Sequence, residues 1–371
     1  MLKYNIYGTS KTAVQFLLEH PEIEVNCFID AKNNSKSFLN YEVFNPEMAE
    51  KQLRDNYTLI ATGSVDSYWQ IKNYLETVLN LIEFEHFEHV DTYNKKISII
   101  YGNCHSSAVK SALIQSAEFN NIYGCYPLKP ICQMNSKESF NTKAFERCSL
   151  FIHQAIRKNN NYGEEYASEN LLKRLPVDCI VIAMPNLYRM PLFMFPQMES
   201  YENQICYEGY NFFPYRDKFI DSNYNVKQID QICKMIEEES LISHSEIRSN
   251  YEMFIEKVKS REKEWDISIS NYLIKEMPNS QLFYDPNHPT EKVIGYIVDN
   301  ILNKLGFNSM KNYISDCMDS SELPIYQSVN VALKLNWKKS IIRKYSKFKL
   351  NNNIMDVYEY VSQYIKWNYY R

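Results

Sequence analysis

Apolar positions recur at two spacings along the chain, and the switch between them marks out its elements. Residues 4–7 read as a short strand that stops at the tight turn of Gly8, and beyond Thr9 and Ser10 the residues Val14, Leu17 and Leu18 repeat at helical spacing. A second strand is expected over Glu24–Ile29, and a third over residues 58–61, which lead into the turn Thr62-Gly63-Ser64. An amphipathic stretch over residues 68–81 follows. Strand and helix therefore alternate, the pattern of a small α/β unit over residues 1–94.

A second unit begins near Lys95. The apolar run 97–101 enters Gly102-Asn103-Cys104-His105, after which Val109, Ala112, Leu113 and Ala117 carry a helical stripe, so that Cys104 is expected in a strand-to-helix turn. Residues 150–152 read as another strand and deliver His153 and Gln154; the strand 178–184 ends at Pro185-Asn186. Residues 284–290 then lead to a helix with Val293, Ile294, Ile297, Val298, Ile301 and Leu302 on one stripe, and Pro289 is expected in its first turn. This unit, residues 95–327, predicts a larger open α/β sheet with ligands near the carboxyl ends of its strands. From residue 328 to 371 the character changes. Lys334, Lys338, Lys339, Arg343, Lys344, Lys347 and Lys349 alternate with Leu333, Leu335, Trp337, Ile341, Ile342 and Leu350, which predicts a basic, helical, amphipathic extension.

Composition narrows the class. A chain of 371 residues is long for one core, in keeping with two units and an extension. Lys and Arg number 41 against 45 Asp and Glu, a net charge of -4, which excludes a globally basic nucleic-acid binder. No apolar run approaches the roughly 20 residues of a membrane span, and the first residues enter a strand without a signal-peptide pattern, so a cytoplasmic location is expected. The nine cysteines include no C-x-x-C pair, which argues against a disulfide framework or a zinc ribbon. His86 and His89 stand amid glutamates, but no third ligand has a defined spacing, and no metal is expected.

Two segments carry candidate chemistry. A cysteine at a helix N-terminus meets the positive end of the macrodipole and unpaired N–H groups, which favour thiolate over thiol; the same N–H groups suit a developing oxyanion. The bland alternative is a small residue filling a tight turn. In Asp285-Pro286-Asn287-His288-Pro289, an aspartate three residues before a histidine can orient one ring nitrogen while the other acts as a base. Here the alternative is a loop histidine capping a helix.

Gly102-Asn103-Cys104 after a strand, Asn186 after a later strand, and Asp285-x-x-His288 before the last core helix resemble the block order of SGNH/GDSL esterases and acyltransferases. More closely, residues 97–306 resemble the polysaccharide-biosynthesis family typified by the capsule enzyme WcbI. The resemblance implies an acetyltransferase taking an acyl group from coenzyme A to a sugar hydroxyl of a surface polysaccharide. It also implies Cys104 at the reactive turn, His288 as base, Asp285 as its orienter and Asn186 as an oxyanion donor. Gly102, Asn103, His105, Arg157 and Arg189 are the candidates for holding coenzyme A, with Lys129 and Lys158 as further cations near the motifs. Departures are Cys104 for the esterase serine, Asn103 for its usual aspartate, and His105 where the family often has glutamine. The first unit resembles the Rossmann-like N-terminal domains of sugar-modifying enzymes, which implies a nucleotide sugar near Gly8, Ser10 and Asp30. Ser10 stands where that pattern has a second glycine. Three readings stay open: a coenzyme A-dependent sugar acyltransferase, an SGNH-like esterase or thiol hydrolase, and a non-catalytic nucleotide-sugar-binding assembly factor. The basic extension adds a candidate contact with the inner face of the membrane.

Overall fold

The structure is a computed structural model that describes residues 2–33, 35–134, 142–160, 162–198, 215–310, 322–337, 348–350 and 353–370. Its contacts divide the chain into two compact units, Met1–Ile182 and Ala183–Arg371.

The first unit contains two sheets. The elements of the first sheet run β1 (Lys3–Tyr7), α1 (Lys11–Glu19), β2 (Glu24–Ile29), β3 (Ser37–Phe38), β4 (Tyr41–Phe44), α2 (Glu50–Asp55), β5 (Tyr57–Ile60), α3 (Val65–Thr77) and β6 (Phe87–His89). Strand order is β3-β4-β2-β1-β5-β6, and every pairing from β4 to β6 is parallel. Strands covered on both faces alternate between two cores. Ile6, Phe28 and Leu59 join one apolar cluster, while their neighbours Tyr7, Ile29 and Ile60 join the other.

Next come β7 (Lys96–Tyr101), α4 (Cys104–Leu113), α5 (Ala117–Ile122), β8 (Tyr123–Cys125), α6 (Thr142–Glu146), β9 (Cys148–Gln154), α7 (Ser168–Leu172) and β10 (Ile180–Met184). They build a sheet of order β10-β9-β7-β8, with β7 parallel to both β8 and β9. Ile97, Ile99, Ile100 and Tyr101 are all buried, and the one polar residue among them, Ser98, is buried too and donates its hydroxyl to the Gly124 carbonyl at 3.1 Å. The protein is thus α/β with two parallel-rich sheets. The helix expected to run from Val109 to Ala117 is instead two. Ser116 accepts the Phe119 N–H and starts α5, and a serine that caps in this way ends the preceding helical run.

Both sheets of this unit share one core. The cluster that holds Tyr7, Ile60, Tyr68 and Phe87 also holds Ile97, Tyr101, Tyr126 and Phe151. A polar knot crosses the same boundary: Glu83, 1% exposed, takes the Tyr68 and Tyr126 hydroxyls and pairs with Lys72 at 3.2 Å. Burial raises the Glu83 carboxyl above the usual range, against the opposing pull of Lys72. The Trp69 indole donates to the Pro127 carbonyl at 2.9 Å.

The second unit is mainly helical. It comprises β11 (Pro196–Met198), β12 (Tyr215–Asp217), α8 (Lys218–Asn223), α9 (Ile229–Ile236), α10 (His244–Arg261), α11 (Ser270–Glu276), α12 (Glu291–Lys304), α13 (Gln327–Leu333), the hairpin β13 (Phe348–Leu350) and β14 (Asn353–Met355), and α14 (Val357–Tyr370). The stripe expected on α12 is buried in full: Val293, Ile294, Ile297, Val298, Ile301 and Leu302. Pro289 is not in the first turn of α12, because Thr290 is the N-cap and Pro289 forms an antiparallel bridge with Phe283. Asp217 anchors the unit. Its Oδ1 caps α8 through the Phe219 and Ile220 N–H groups, its Oδ2 accepts the Tyr326 hydroxyl at 2.8 Å, and its own N–H donates to the Tyr364 hydroxyl.

A continuous amphipathic helix through the basic extension is not what forms. Lys334 adopts φ 53°, and the Leu335 N–H returns to the Asn330 carbonyl while the Lys334 N–H returns to Val331, the closure that ends a helix with a left-handed residue. Leu335 is buried, and the Trp337 indole donates to the Met277 carbonyl at 2.8 Å. The stretch Lys338, Lys339, Ile341, Ile342, Arg343, Lys344 and Lys347 lies outside the described residues. At the end of the chain α14 buries Tyr360, Val361, Tyr364 and Trp367. Among the described residues no helix is long and apolar enough to cross a membrane.

Candidate functional site

The elbow is built from the end of β7. Asn103 is the N-cap of α4, its Oδ1 accepting the His105 N–H at 3.0 Å, and Cys104 is the first helical residue, half-buried. Ser106 binds back to the Asn103 carbonyl through both its N–H and its hydroxyl. Gln154, fully buried at the end of the adjacent strand β9, locks the turn from beside: its Oε1 accepts the Asn103 N–H at 2.8 Å. Its amide nitrogen then points to His105 Nδ1 at 3.3 Å, which makes Nδ1 the acceptor and puts the ring proton of His105 on Nε2. Gly102 is required here, since a Cβ at that position would stand 2.4 Å from Gln154 Oε1. His153 is buried and stacked on Phe151, so it packs in the core while its neighbour Gln154 serves the elbow.

The second half lies in the loop before α12. Asp285 is fully buried, and its Oδ2 lies 2.6 Å from His288 Nδ1. Its Oδ1 accepts the Asn287 N–H at 2.8 Å, the His288 N–H at 2.9 Å and the Tyr215 hydroxyl at 2.9 Å. A carboxylate with this many donors keeps one orientation. With Nδ1 donating to it, the lone pair of a neutral His288 sits on Nε2, and the side chain is 31% exposed. The loop is closed by Tyr284 N–H to His288 carbonyl and Thr290 N–H to Leu282 carbonyl, both at 2.9 Å. Tyr215 escaped the sequence reading: it is 70 residues from Asp285, and no local spacing signals it.

The loop after β10 is tied to the same segment. The Arg189 N–H donates to Asn287 Oδ1 at 3.0 Å, and the Met190 N–H donates to the Pro286 carbonyl at 2.8 Å. Asn186 is half-buried in this loop, its carbonyl held by Arg261 Nη1 at 2.9 Å. Arg189 itself is exposed with φ 59°, and Arg157 is exposed in the loop after β9. Lys129 pairs with Asp66 at 2.8 Å and Lys158 with Glu169 at 3.3 Å, so both cations already face carboxylates.

At the N-terminal turn the expected ligand residues serve the turn itself. Asp30 Oδ2 accepts the N–H and hydroxyl of Thr9, and Oδ1 accepts the N–H groups of Lys32 and Asn33. Burial pushes this carboxyl up, but the Thr9 hydroxyl and the three N–H groups outweigh it and hold Asp30 below the usual carboxylate range. Ser10 Oγ donates to the Ala61 carbonyl at 3.0 Å, and a Cβ on Gly8 would come 2.6 Å from that same oxygen. His89 Nδ1 accepts the Asp91 N–H, leaving Nε2 to donate to the Thr62 carbonyl at 2.9 Å. His86 Nδ1 bonds the backbone of Ile82.

Comparison with known proteins bears on this arrangement. A family model described as polysaccharide biosynthesis enzyme WcbI matches residues 97–310, more than half of the chain and inclusive of both the elbow and the Asp285–His288 loop. A solved structure of WcbI, described as a novel polysaccharide biosynthesis enzyme in its native form without a disulfide bond between coenzyme A and one of its cysteines, superimposes with a TM-score of 0.62. The alignment covers 75% of this chain and 91% of that one at 15% identity, a likeness of fold. Comparison with the curated proteins finds no match.

Proposed function

The chain belongs to the WcbI family of polysaccharide biosynthesis enzymes, and from that premise we propose that it transfers an acyl group, in the first instance acetyl, from coenzyme A to a hydroxyl of a sugar destined for a surface polysaccharide. The observation that carries this reading is the 2.6 Å contact between buried Asp285 and His288, which fixes the tautomer in which Nε2 is the basic nitrogen. His288 takes the proton of the sugar hydroxyl as its oxygen attacks the thioester carbonyl. Asp285 keeps the ring in one tautomer and stabilises the imidazolium that forms. The Cys104 elbow, where the first N–H groups of α4 offer positive partial charge, is assigned to the thioester, and Asn186 is assigned an oxyanion-donor role by the family's block order. His105, Arg157 and Arg189 are assigned to the phosphates and pantetheine of coenzyme A.

In this reading the first sheet is a Rossmann-like scaffold whose strand order fits that name. Gly8, Ser10 and Asp30 shape its first turn. The reaction takes place in the cytoplasm, where acyl-coenzyme A is made. The test is calorimetric titration with coenzyme A followed by acetyl transfer to a panel of nucleotide sugars and oligosaccharides. Binding together with acceptor labelling supports the proposal. Acetate release without any acceptor would replace it with a hydrolase, and no binding would remove the transferase altogether.

A further inference from the structure

Two thiols meet at the elbow, and the transfer just described uses only the surroundings of one. The short turn Ile131–Gln133 is pinned to the elbow by the Ile131 N–H, which donates to the Gly102 carbonyl at 2.8 Å. This seats the next residue, Cys132, beside the turn that carries Cys104. Both cysteines are half-buried, as is Cys179 elsewhere in the fold, whereas Cys27, Cys125, Cys148 and Cys233 are buried. Burial raises the Cys132 thiol, and the neighbouring Cys104 adds to that.

We propose that Cys132 is the resolving thiol of Cys104, and that the pair forms a reaction site for low-molecular-weight disulfides, coenzyme A disulfide among them. The choice of coenzyme A rests on the acyl-transfer reading; the thiol pair does not. In the first step the Cys104 thiolate attacks a disulfide RS–SR, the S–S bond breaks, and RS⁻ leaves as Cys104–S–SR forms. In the second the Cys132 thiolate attacks the Cys104 sulfur, a Cys104–Cys132 disulfide forms, and the second RS⁻ leaves. The protein pair loses two electrons and two protons, and the small disulfide is reduced to two thiols. The elbow thereby sheds a bulky adduct that would block the thioester, at the cost of a disulfide that any cellular dithiol can reopen.

The test uses the full chain, reduced, with one equivalent of dithiobis(nitrobenzoate), acid quenching and peptide mapping. Wild type is expected to yield a cross-linked Cys104–Cys132 peptide pair and two released thionitrobenzoates per reagent. Cys132→Ser is expected to keep the aryl adduct on Cys104 for at least about ten times longer, since intramolecular exchange is lost. Adduct on Cys104 that persists equally in both proteins, or a cross-link from Cys104 to another cysteine, overturns the proposal. Repeating the reaction with coenzyme A disulfide separates the two claims: cross-linking by the aryl reagent alone upholds the thiol pair and counts against coenzyme A as its natural disulfide.

Discussion

The Tyr215 hydroxyl and the Asp285 carboxylate lie 2.9 Å apart, both buried, at the start of β12 and in the loop before α12. Tyr215 donates to Oδ1, which also takes the His288 backbone N–H, while the imidazole is held by Oδ2, so the tyrosine acts on the ring through the carboxylate. Tyr215→Phe should therefore preserve coenzyme A affinity and lower kcat by about 10- to 100-fold, the range set by one hydrogen bond to a charged group. A structural role alone would leave the pH–rate profile unmoved. Loss of this donor leaves more of the carboxylate charge facing the imidazolium that forms, so the acidic limb, which reports the base, should shift to higher pH.

His288→Ala removes the base. Turnover should fall by about 10²- to 10⁴-fold with coenzyme A binding nearly unchanged, measured by calorimetry beside steady-state kinetics. Asp285→Asn should be milder. Wild-type turnover in the histidine variant would show that the base had been misassigned.

Gly102→Ala drives a methyl into Gln154 Oε1. Gln154 cannot swing away without releasing the Asn103 N–H and His105, so the variant should lose about 1–3 kcal/mol, the cost of an unmade buried hydrogen bond. Chemical unfolding measures this. Coenzyme A affinity should drop in parallel, and a double variant with Gln154→Ala should recover part of the stability but not the affinity.

Asp217 gives the second unit a pH dependence of unusual sign. Burial raises its carboxyl from 3.8 to about 6, against the opposing hydrogen bonds from Tyr326, Ile220 and Phe219. Between these values the native state holds a proton that the unfolded chain has lost, so stability falls as pH rises through the window and levels off above it. The full span corresponds to roughly 3 kcal/mol. Denaturant midpoints measured from pH 4 to 7 should slope downward in wild type relative to Asp217→Asn, whose amide oxygen still caps α8.

Much of this was legible because buried parallel strands print themselves as apolar runs. Strand β2 falls where it was expected, β7 and β10 do so to within two residues, and the stripe of α12 is met residue for residue. The elbow and the Asp285–His288 spacing were readable because each partner lies within a few positions of the next. Contacts made across long separations left no such trace. Gln154 is expected at the end of a strand, but its grip on Asn103 depends on β9 lying beside β7, and Tyr215 reaches Asp285 only through the tertiary fold. Local competition accounts for the shifted boundaries: Ser116 divides one expected helix into two, the bridge to Phe283 moves Pro289 out of α12, and a left-handed Lys334 halts the helix that the basic stripe suggested.

The core shared by the two sheets of the first unit decides how the protein can be dissected. A chain begun at Lys95 would still spell out the elbow, yet its core would lose the part that Ile60, Tyr68 and Phe87 supply, and Tyr126 would lose both its edge contact with the Tyr68 ring and Glu83. The opening sheet is therefore not a portable cassette that gene fusion could exchange, and a shortened protein should be rescued, if at all, by supplying residues 1–94 in trans as a folding partner.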